Sequence, residues 1–531
     1  MNGLKLCVVL MLLLPLSAQE AGVQAVLEGL KQAPSGATAV PIRAGVTGFF
    51  VSGAGDAEGR PVVLVVAGLN SDHLLGVRVA SALPLALQRL AATDASLREA
   101  LERAAVLVVP AVEPERLAAA ATAPLRDVRG NATPVDDDND GLVDEDGPED
   151  LDGDGIIATL RWPDPEGKLM ASSEDPRLMV NADIAKSERG LWRIVSEGID
   201  NDGDGLINED GPGGVDLDRN FAHGWKESET SVGWSAPSEE PARALLKFVT
   251  ERGNVAAVFV LGHRDNIATT TRKSDTAAGL APNGLLAEDL PWANGLTEDL
   301  RRILGANDGA EDAPDGGFHH WAYGQHGVPA FASRVAYRPE LPADAKLPSG
   351  SAPSSTEGRW LFLADQRQEG FLPWKKLSHP TLRDAELGGF VPRFAEKLAS
   401  ERFDALVEAQ AKAVAALVTA LPKLQVRTLS SKALGGGVHE VEAVLGTEGR
   451  LPLFTHMARR ARATRSLRLE FAVQGGRILE GEKRQHVDDL GPNGMKKFRW
   501  LVHCPGPLDV RVTAGAPRTG TAEATLRVEG N

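Results

Sequence analysis

Four positions in this 531-residue chain carry side chains whose types and order could do chemistry: Asn70, His73, His263 and Arg334. Imidazole nitrogens bind zinc well, whereas a neutral asparagine amide is a poor zinc ligand. An arginine stays protonated and holds anions, often through two parallel hydrogen bonds. These residue types therefore indicate a weak metal site, an anion site, or both.

Three apolar runs are placed to position these side chains. Residues 62–67 form an unbroken, β-branched run, which is typical of a strand buried on both faces of a parallel sheet. The run stops at Gly68, and residues 74–91 then have helical apolar spacing. Similar runs span residues 256–263 and 328–334. We predict an α/β fold with a mixed, mainly parallel twisted sheet flanked by helices, whose carboxyl edge holds the four side chains.

The first two segments resemble the zinc carboxypeptidase family of the carboxypeptidase A type, in its secreted bacterial branch. In that family a Gly-Ile-His-x-x-Glu segment supplies two zinc ligands, and residues 68–73 (GLNSDH) occupy its place. The resemblance puts Asn70 and His73 at those ligand positions and His263 at the position of the third ligand. Asp72 could replace a lost ligand, since aspartate binds zinc and asparagine binds it poorly.

Two later segments extend the resemblance. Residues 216–221 (DLDRNF) match the family segment that holds the terminal carboxylate of the substrate, which assigns Asp218 and Arg219 to substrate binding. Arg129 is a further candidate. Residues 316–323 (GGFHHWAY) match a segment that precedes the general-base glutamate by a fixed interval, and that interval ends at Arg334. An arginine cannot take a proton from zinc-bound water.

The resemblance implies a zinc carboxypeptidase-like protein, and its altered positions favour an impaired or inactive chain that still binds peptides or carboxylates. Two alternatives stay open. An active zinc metallocarboxypeptidase would hold zinc with Asp72, His73 and His263 and use Glu239 or Glu240 as its base. A calcium-ordered extracellular scaffold would use the fold only as a frame. Zinc is therefore a possible cofactor.

A group of three histidines leaves a relocated metal site open. His319, His320 and His326 lie within eight residues of one another. The alternative is that they pack or form hydrogen bonds in a loop beside a strand that carries Trp321.

Two acidic segments repeat a D-x-D-x-D-G pattern, at residues 136–148 and 200–212, and a shorter copy spans residues 150–155. Alternating carboxylates on a tight, glycine-containing loop are how proteins wrap calcium. The twelfth position holds no glutamate, so the loops resemble the calcium repeats of secreted proteins more than EF-hands. We predict calcium as a cofactor, with these candidate ligands: Asp136, Asp138, Asp140, Asp144, Asp150, Asp152, Asp154, Asp200, Asp202, Asp204 and Asn208.

Composition and the N-terminus predict a secreted or periplasmic protein. Residues 1–18 have the short apolar core and the small residues of a Sec signal peptide. Beyond them we expect no run able to span a bilayer. Cys504 would be the single cysteine of the mature chain, which excludes an intrachain disulfide. The net charge of −16 disfavours nucleic acid and anionic membranes, so the expected partner is a peptide or a carboxylate-bearing small ligand.

The chain divides into three predicted parts. Residues 1–18 are the signal peptide, and residues 19–421 form the carboxypeptidase-like domain, with acidic insertions at about 130–215 and one or two helices over residues 393–421. Residues 422–531 consist of short runs in which apolar and polar residues alternate, separated by glycine-rich turns. This pattern predicts a small β-sandwich. Its expected strands span residues 439–445, 466–473, 498–503, 508–514 and 524–529.

Overall fold

The structure, a computed structural model, describes residues 34, 37–53, 59–120, 124–126, 129–136, 141–209, 214–269, 271–277, 279–307, 309, 312–463, 466–487 and 490–529. The predicted signal peptide lies outside these ranges. So do two of the predicted calcium ligands, Asp138 and Asp140.

Ten α-helices lie within these ranges: α1 (Leu74–Thr93), α2 (Ala95–Arg103), α3 (Pro114–Ala120), α4 (Glu240–Arg252), α5 (Leu290–Leu304), α6 (Phe318–Gly324), α7 (Thr356–Arg367), α8 (Phe394–Ser400), α9 (Phe403–Ala420) and α10 (His456–Arg460). Short 3-10 turns span Ile184–Lys186 and Leu217–Arg219.

Twenty strands lie within the same ranges: β1 (Thr38–Arg43), β2 (Val46–Val51), β3 (Val62–Ala67), β4 (Ala105–Val109), β5 (Thr159–Pro163), β6 (Leu169–Ala171), β7 (Met179–Asn181), β8 (Trp192–Ser196), β9 (Val255–Leu261), β10 (Ala330–Ser333), β11 (Phe371–Lys376), β12 (Glu386–Phe390), β13 (Lys423–Gly435), β14 (Val438–Glu448), β15 (Leu467–Val473), β16 (Arg477–Glu480), β17 (Arg484–Val487), β18 (Met495–His503), β19 (Leu508–Ala516) and β20 (Gly520–Val528).

The central sheet has six strands in the order β1-β2-β4-β3-β9-β10. The four strands β4, β3, β9 and β10 run parallel, and the β1–β2 hairpin adds two antiparallel strands at one edge. This is the mixed, mainly parallel sheet that the apolar runs predict. Parallel strands bring their carboxyl ends to one edge, and that edge holds the candidate site.

Strand β3 explains why the sheet needs helices on both faces. All six of its residues are fully buried. Val63 and Val65 pack into a core shared with α1 and α9, whereas Leu64 and Val66 pack into a second core shared with α4 and α6. Burying one such side chain stabilises the fold by about 1.5–3 kcal/mol relative to leaving it in water. The alternation follows from the two-residue period of a strand.

Helix α1 corrects one expectation. Among the described residues, it is the one helix that is long and apolar enough to cross a membrane, so the expectation of no such run beyond residue 18 is wrong by that criterion. Its residues Leu83 and Leu87 are fully buried and lie in the same core as Val414 and Leu417 of α9. In this structure the apolar face of α1 is therefore covered by protein.

A second six-stranded sheet, in the order β11-β12-β5-β8-β6-β7, was not predicted. All of its pairs are antiparallel. Arg161 lies near its centre, with its guanidinium carbon 3.9 Å from the ring centroid of Trp374 and 4.9 Å from that of Trp192. The same guanidinium pairs with Glu386 at 2.6 Å. The insertion at residues 130–215 therefore contains strands as well as acidic loops.

The C-terminal part consists of two four-stranded antiparallel sheets, β13-β14-β18-β16 and β17-β15-β19-β20. They share one core, in which the rings of Phe471 and Trp500 stack with centroids 4.2 Å apart. This arrangement agrees with the predicted β-sandwich, although β13, β16 and β17 were not predicted. Thr455 donates from Oγ1 to the Gly327 carbonyl at 2.9 Å, which ties the sandwich to the preceding domain.

Candidate functional site

The candidate site lies where β3, β9 and β10 end. β9 pairs with both β3 and β10, so the three ends lie side by side. Gly68 follows β3 with a φ of 67°, and a Cβ at this position would lie 2.8 Å from Cα of Ala111. Only glycine fits this turn without strain. The turn carries the chain from the strand into residues 70–73 and then into α1.

The centre of the site is an ion pair between two predicted residues. Nε2 of His263 lies 2.7 Å from Oδ1 of Asp72, whose side chain is 3% exposed. Burial alone would raise the pKa of Asp72, but the hydrogen bond and charge of His263 outweigh it and lower that pKa. Burial likewise opposes a charged His263, but Asp72 raises the pKa of its imidazole above the ordinary value. Each group therefore stabilises the charged form of the other.

His73 has a structural task in addition to lining the site. Its Nδ1 accepts a hydrogen bond from the Gly76 backbone N–H at 3.2 Å, which caps the first turn of α1. The proton of the neutral ring therefore sits on Nε2. Burial, followed by the charge of His263, lowers the pKa of His73 to about 3. His73 is thus neutral at physiological pH, and its ring meets that of His263 edge-on, with centroids 4.8 Å apart.

Glu396 of α8 is a site residue that the sequence analysis missed. Its Oε1 lies 3.8 Å from Nε2 of His73 and is buried without a hydrogen-bond partner among the described residues. Burial raises the pKa of this carboxyl to about 7. The sequence does contain a signal for Glu396, because it is a lone glutamate between Phe394 and Leu398, which lie on the buried face of the helix. The site thus gains a carboxyl group that changes charge near neutral pH.

A cavity of about 430 Å³ opens onto these groups. Arg129 and Arg334 line it together with Asp72, His73 and His263, so the structure brings these five predicted residues together. Its other lining residues include Tyr337, Trp360, Phe390, Arg393 and Glu396. This volume suits a small ligand, and a mostly apolar wall with a few polar groups is typical of such sites.

Arg334 is held in place by the chain around it. Its Nε donates to Oδ2 of Asp265 at 3.2 Å, and one terminal nitrogen donates to the Asn307 carbonyl at 2.7 Å. The guanidinium carbon also lies 5.3 Å from the ring centroid of Tyr337. An arginine fixed in this way loses little conformational freedom when it binds an anion. Arg129, by contrast, is exposed.

Asn70 lies apart from the cavity lining. Its Nδ2 donates to Oδ1 of Asp216 at 2.7 Å, and its Oδ1 is buried without a hydrogen-bond partner among the described residues. Burial, followed by the charge of Asp218, raises the pKa of Asp216 to about 7. In this structure Asn70 therefore stabilises the buried 216–218 segment through its hydrogen bond to Asp216.

Zinc fits poorly at the positions that the resemblance assigns to it. Among the described residues, the groups of three His, Cys, Asp or Glu side chains whose ligand atoms all lie within 4.8 Å of one another do not include Asp72, His73 and His263. Nδ1 of His73 is used by the helix cap, and its Nε2 faces Oε1 of Glu396 at 3.8 Å. A zinc ion needs three converging ligands and an open position for catalysis. No catalytic step is therefore assigned to a metal here.

The predicted carboxylate-binding pair, Asp218 and Arg219, lies outside the cavity lining. The side chain of Asp218 is 1% exposed and accepts the Phe318 backbone N–H at 2.8 Å. Arg219 pairs with Glu229 and donates to the Thr230 carbonyl at 3.2 Å. Both side chains therefore hold neighbouring loops together in this structure.

The alternative bases also lie elsewhere. Glu239 accepts hydrogen bonds from Asn131 at 2.6 Å, Thr133 at 2.6 Å and Ser238 at 2.7 Å. Burial would raise its pKa, but these donors lower it. Glu240 is exposed and lies 3.7 Å from Arg43. Neither glutamate lines the cavity.

The two acidic repeats have the same backbone conformation at two pairs of equivalent, described positions. Asp144 and Asn208 stand at equivalent positions and have φ values of 55° and 61°, and the equivalent Gly141 and Gly205 have φ values of 99° and 97°. Asp136 accepts the Gly141 backbone N–H at 3.1 Å. At these described positions the repeated spacing thus comes with a repeated backbone conformation.

Carboxylates converge in two of these loops. Asp200, Asp202 and Asp204 form one group with ligand atoms within 4.8 Å of one another. Asp150, Asp152 and Glu197 form another. Glu197, which was not predicted, is fully buried and accepts backbone N–H groups of Leu151, Asp152 and Ala158. Asp154 instead accepts the Ile156 backbone N–H at 2.8 Å, and Asn208 donates to the Ser196 carbonyl at 2.6 Å.

The predicted histidine group separates into two environments. Trp321 lies on α6 and not on a strand, so that part of the prediction is wrong. His326 stacks on the Trp321 ring at 5.3 Å, and one nitrogen of Arg518 lies 2.9 Å from its Nε2. His319 and His320, however, both contact Asp312.

Comparisons with known proteins give one family match. The family described as "Domain of unknown function (DUF8731)" matches residues 423–527. No curated protein matches the sequence. The matched range falls within the C-terminal sandwich and leaves the candidate site outside it.

Three solved structures resemble the larger part of the chain. Thrombin activatable fibrinolysis inhibitor is 8% identical, with a TM-score of 0.33, and the match covers 76% of this chain and 73% of that one. The bovine inhibitor in complex with tick carboxypeptidase inhibitor is 9% identical, with a TM-score of 0.33 and coverage of 76% and 96%. A proposed metallopeptidase from Shewanella amazonensis is 11% identical, with a TM-score of 0.25 and coverage of 75% and 91%. Similarity at these identities and TM-scores carries no information about activity, substrate or metal.

Proposed function

We propose that this chain is a secreted, zinc carboxypeptidase-like protein that binds peptides or small ligands by a carboxylate and hydrolyses them weakly or not at all. The observation that carries the proposal is the cavity of about 430 Å³ in which Arg129 and Arg334 flank the Asp72–His263 ion pair. The Asp72–His263 pair neutralises its own charge, and Asp265 pairs with Arg334. The other charged groups of the lining are three arginines and two glutamates, namely Arg129, Arg393, Arg402, Glu357 and Glu396, which leaves a positive balance. A guanidinium can hold a carboxylate through two parallel, charge-assisted hydrogen bonds.

The residue types support weak or absent hydrolysis. The position expected to hold the general base has a fixed arginine, and the possible ligand atoms of Asp72, His73 and His263 do not all lie within 4.8 Å of one another. A hydrolytic site needs a base near the water that attacks the substrate. Glu239 and Glu240 lie outside the cavity lining and cannot supply it there.

Isothermal titration calorimetry with a matched pair of probes tests the proposal. The probes are an N-acetylated tripeptide with a free C-terminal carboxylate and the same tripeptide as its C-terminal amide. We expect the free acid to bind at least about tenfold more tightly, and Arg129→Gln or Arg334→Gln to weaken it by about tenfold each, since hydrogen bonds to charged groups contribute about 1.5–3 kcal/mol.

Arg219→Gln is the control variant, because Arg219 pairs with Glu229 outside the cavity. Equal binding of acid and amide, or an equal loss in the Arg219→Gln variant, contradicts the proposal. Metal analysis of the same preparation and a search for the released C-terminal residue address the alternative. Zinc-dependent release that the Asp72→Asn change abolishes would make the chain an active metallocarboxypeptidase.

We also propose that the acidic loops bind calcium and order the insertion. The convergence of half-buried Asp200 with exposed Asp202 and Asp204 on one loop favours this interpretation. Without a cation, such carboxylates repel one another. Calcium-dependent stability in the absence of any ligand for the cavity would favour the scaffold alternative.

A further inference from the structure

A second histidine site lies outside the cavity described above. Nε2 of His319 lies 2.8 Å and Nε2 of His320 lies 3.0 Å from the same oxygen, Oδ2 of Asp312. The two residues are consecutive in the first turn of α6, and their ring centroids are 3.8 Å apart. The ligand atoms of all three residues lie within 4.8 Å of one another. Two imidazoles and one carboxylate thus converge on a single point.

The hydrogen bonds of this cluster leave two nitrogens unpaired. A carboxylate oxygen only accepts, so both Nε2 atoms must carry a proton when the rings are neutral, and both Nδ1 atoms are then acceptors. Nδ1 of His319 and Nδ1 of His320 are both buried without a hydrogen-bond partner among the described residues. The side chains themselves are 2% and 8% exposed. Buried acceptors without partners are rare and call for an explanation.

A divalent metal ion between the rings and Asp312 would relieve this mismatch at His320. Each ring would offer its Nε2 lone pair to the ion and carry its proton on Nδ1. Nδ1 of His320 lies 3.8 Å from Oδ1 of Asp315, which a small movement would turn into an acceptor for that proton. Histidines that bind metals usually donate their other N–H to a carboxylate or a carbonyl in this way.

The surroundings leave room for an ion and its water. A cavity of about 50 Å³ is lined by the three residues together with His223 and Tyr323, and a water molecule needs about 10–15 Å³ of such space. A Cβ on Gly317 would lie 2.9 Å from Nδ1 of His320 and 3.2 Å from Nδ1 of His319. The glycine before α6 is therefore what lets both rings turn toward Asp312.

We propose that Asp312, His319 and His320 form a binding site for a divalent transition metal of the zinc class, with its fourth position open to water from the adjacent cavity. Two imidazoles and one carboxylate are ligands that zinc accepts, and calcium or magnesium would require more oxygen. The site is independent of the carboxylate cavity, so neither proposal depends on the other.

Cobalt(II) titration of the full chain, stripped of metal by a chelator and free of any affinity tag, tests the site. Cobalt in a four-coordinate nitrogen–oxygen site absorbs strongly in the visible region, whereas six-coordinate cobalt on acidic loops absorbs weakly. We expect one strongly absorbing cobalt per chain, which zinc displaces. His320→Gln and Asp312→Asn should each weaken cobalt binding by about tenfold or more.

His326→Gln and His263→Gln are matched controls, because these histidines belong to other contacts, and both should keep the wild-type titration. No strongly absorbing cobalt in the wild type, or titrations unchanged in the His320→Gln and Asp312→Asn variants, overturns the site. If those variants fail to fold, X-ray absorption spectroscopy of the zinc-loaded wild type can count the imidazole ligands of the zinc ion. Two imidazoles in the first shell support the site, and fewer than two refute it.

Discussion

Nε2 of His263, at the end of β9, lies 2.7 Å from Oδ1 of Asp72, which follows the neighbouring strand β3. Parallel pairing of the two strands sets this relationship, because Ala67 and Leu261 are partners in register at the end of the ladder. The pair occupies the place where the resemblance to zinc carboxypeptidases expects metal ligands.

Carboxylate binding should weaken as the pH rises, because His263 titrates beside Asp72. While His263 is protonated, the pair is neutral and the arginines dominate the cavity. Once the pH exceeds the raised pKa of His263, Asp72 is left as a net negative charge. Glu396 adds a second negative charge above about pH 7. Calorimetry of the tripeptide acid from pH 5.5 to 9 should therefore show falling affinity.

The Asp72→Asn change should move that profile to lower pH. Without the carboxylate, burial and the charge of Arg129 lower the pKa of His263 and outweigh Glu396, which proton NMR of the imidazole would report. Asp365→Asn, which breaks a pair with Arg177 away from the cavity, is the control and should leave His263 unchanged. A His263 pKa that stays the same in the Asp72→Asn variant would show that the contact does not exist in solution.

Glu396→Gln should stabilise the protein at high pH and not at low pH. The folded-state pKa of Glu396 is raised to about 7 from an ordinary value near 4.5, so its contribution to stability is present below about pH 4.5 and is lost as the pH rises through 7. Glutamine does not ionise, so the variant avoids this loss of unfolding free energy, which is about 3 kcal/mol. Urea unfolding at pH 5 and pH 8 measures it. Glu401→Gln, an exposed change next to the same helix, should show no such pH dependence.

The parts of the fold that follow from local pattern could be predicted. β3 was predicted with its observed bounds, because a run of six apolar, mostly β-branched residues is typical of a strand buried on both faces. Helix α1 and the two helices α8 and α9 followed from their apolar spacing. The edge that gathers Asp72, His73 and His263 then follows from parallel pairing alone. These features needed no knowledge of distant contacts.

The features that depend on distant contacts could not be predicted. Strands of the second sheet, such as Leu169–Ala171, are three to six residues long and half-buried, so their pattern is too short to separate from loop. Glu396 reaches the site only because α8 packs against the start of α1. Arg219 turns toward Glu229 because the loop between them folds back, which local spacing does not encode.

Gly76→Ala should destabilise the protein, although the same change usually stabilises a helix. A Cβ at this position would lie 2.5 Å from Nδ1 of His73 and 3.0 Å from the Leu261 carbonyl oxygen. The ring would have to leave its capping position, at a cost of about 1–3 kcal/mol. Thermal unfolding of the variant measures the loss, and a reduced affinity for the tripeptide acid should accompany it.

Gly295→Ala, inside α5, is the matched control for that change. Its Cβ would meet only a terminal nitrogen of Arg450, at 3.5 Å. Alanine there should stabilise the helix by about 0.5–1 kcal/mol, because it loses less conformational freedom on folding than glycine does. If both variants gained stability, the packing of His73 against Gly76 would be absent from the folded protein.

Calcium should raise the melting temperature of the full chain through the acidic loops. Asp200, Asp202 and Asp204 lie close enough to share a cation, and a cation bound only by the folded state adds about 2.7 kcal/mol at a hundredfold excess over its Kd. Calorimetric unfolding with calcium and with a chelator measures the difference. The double change Asp200→Asn and Asp202→Asn should remove most of it, whereas Asp404→Asn, a carboxylate outside the loops on α9, should keep it. An equal response of the double variant and the wild type would mean that the stabilising cation binds elsewhere.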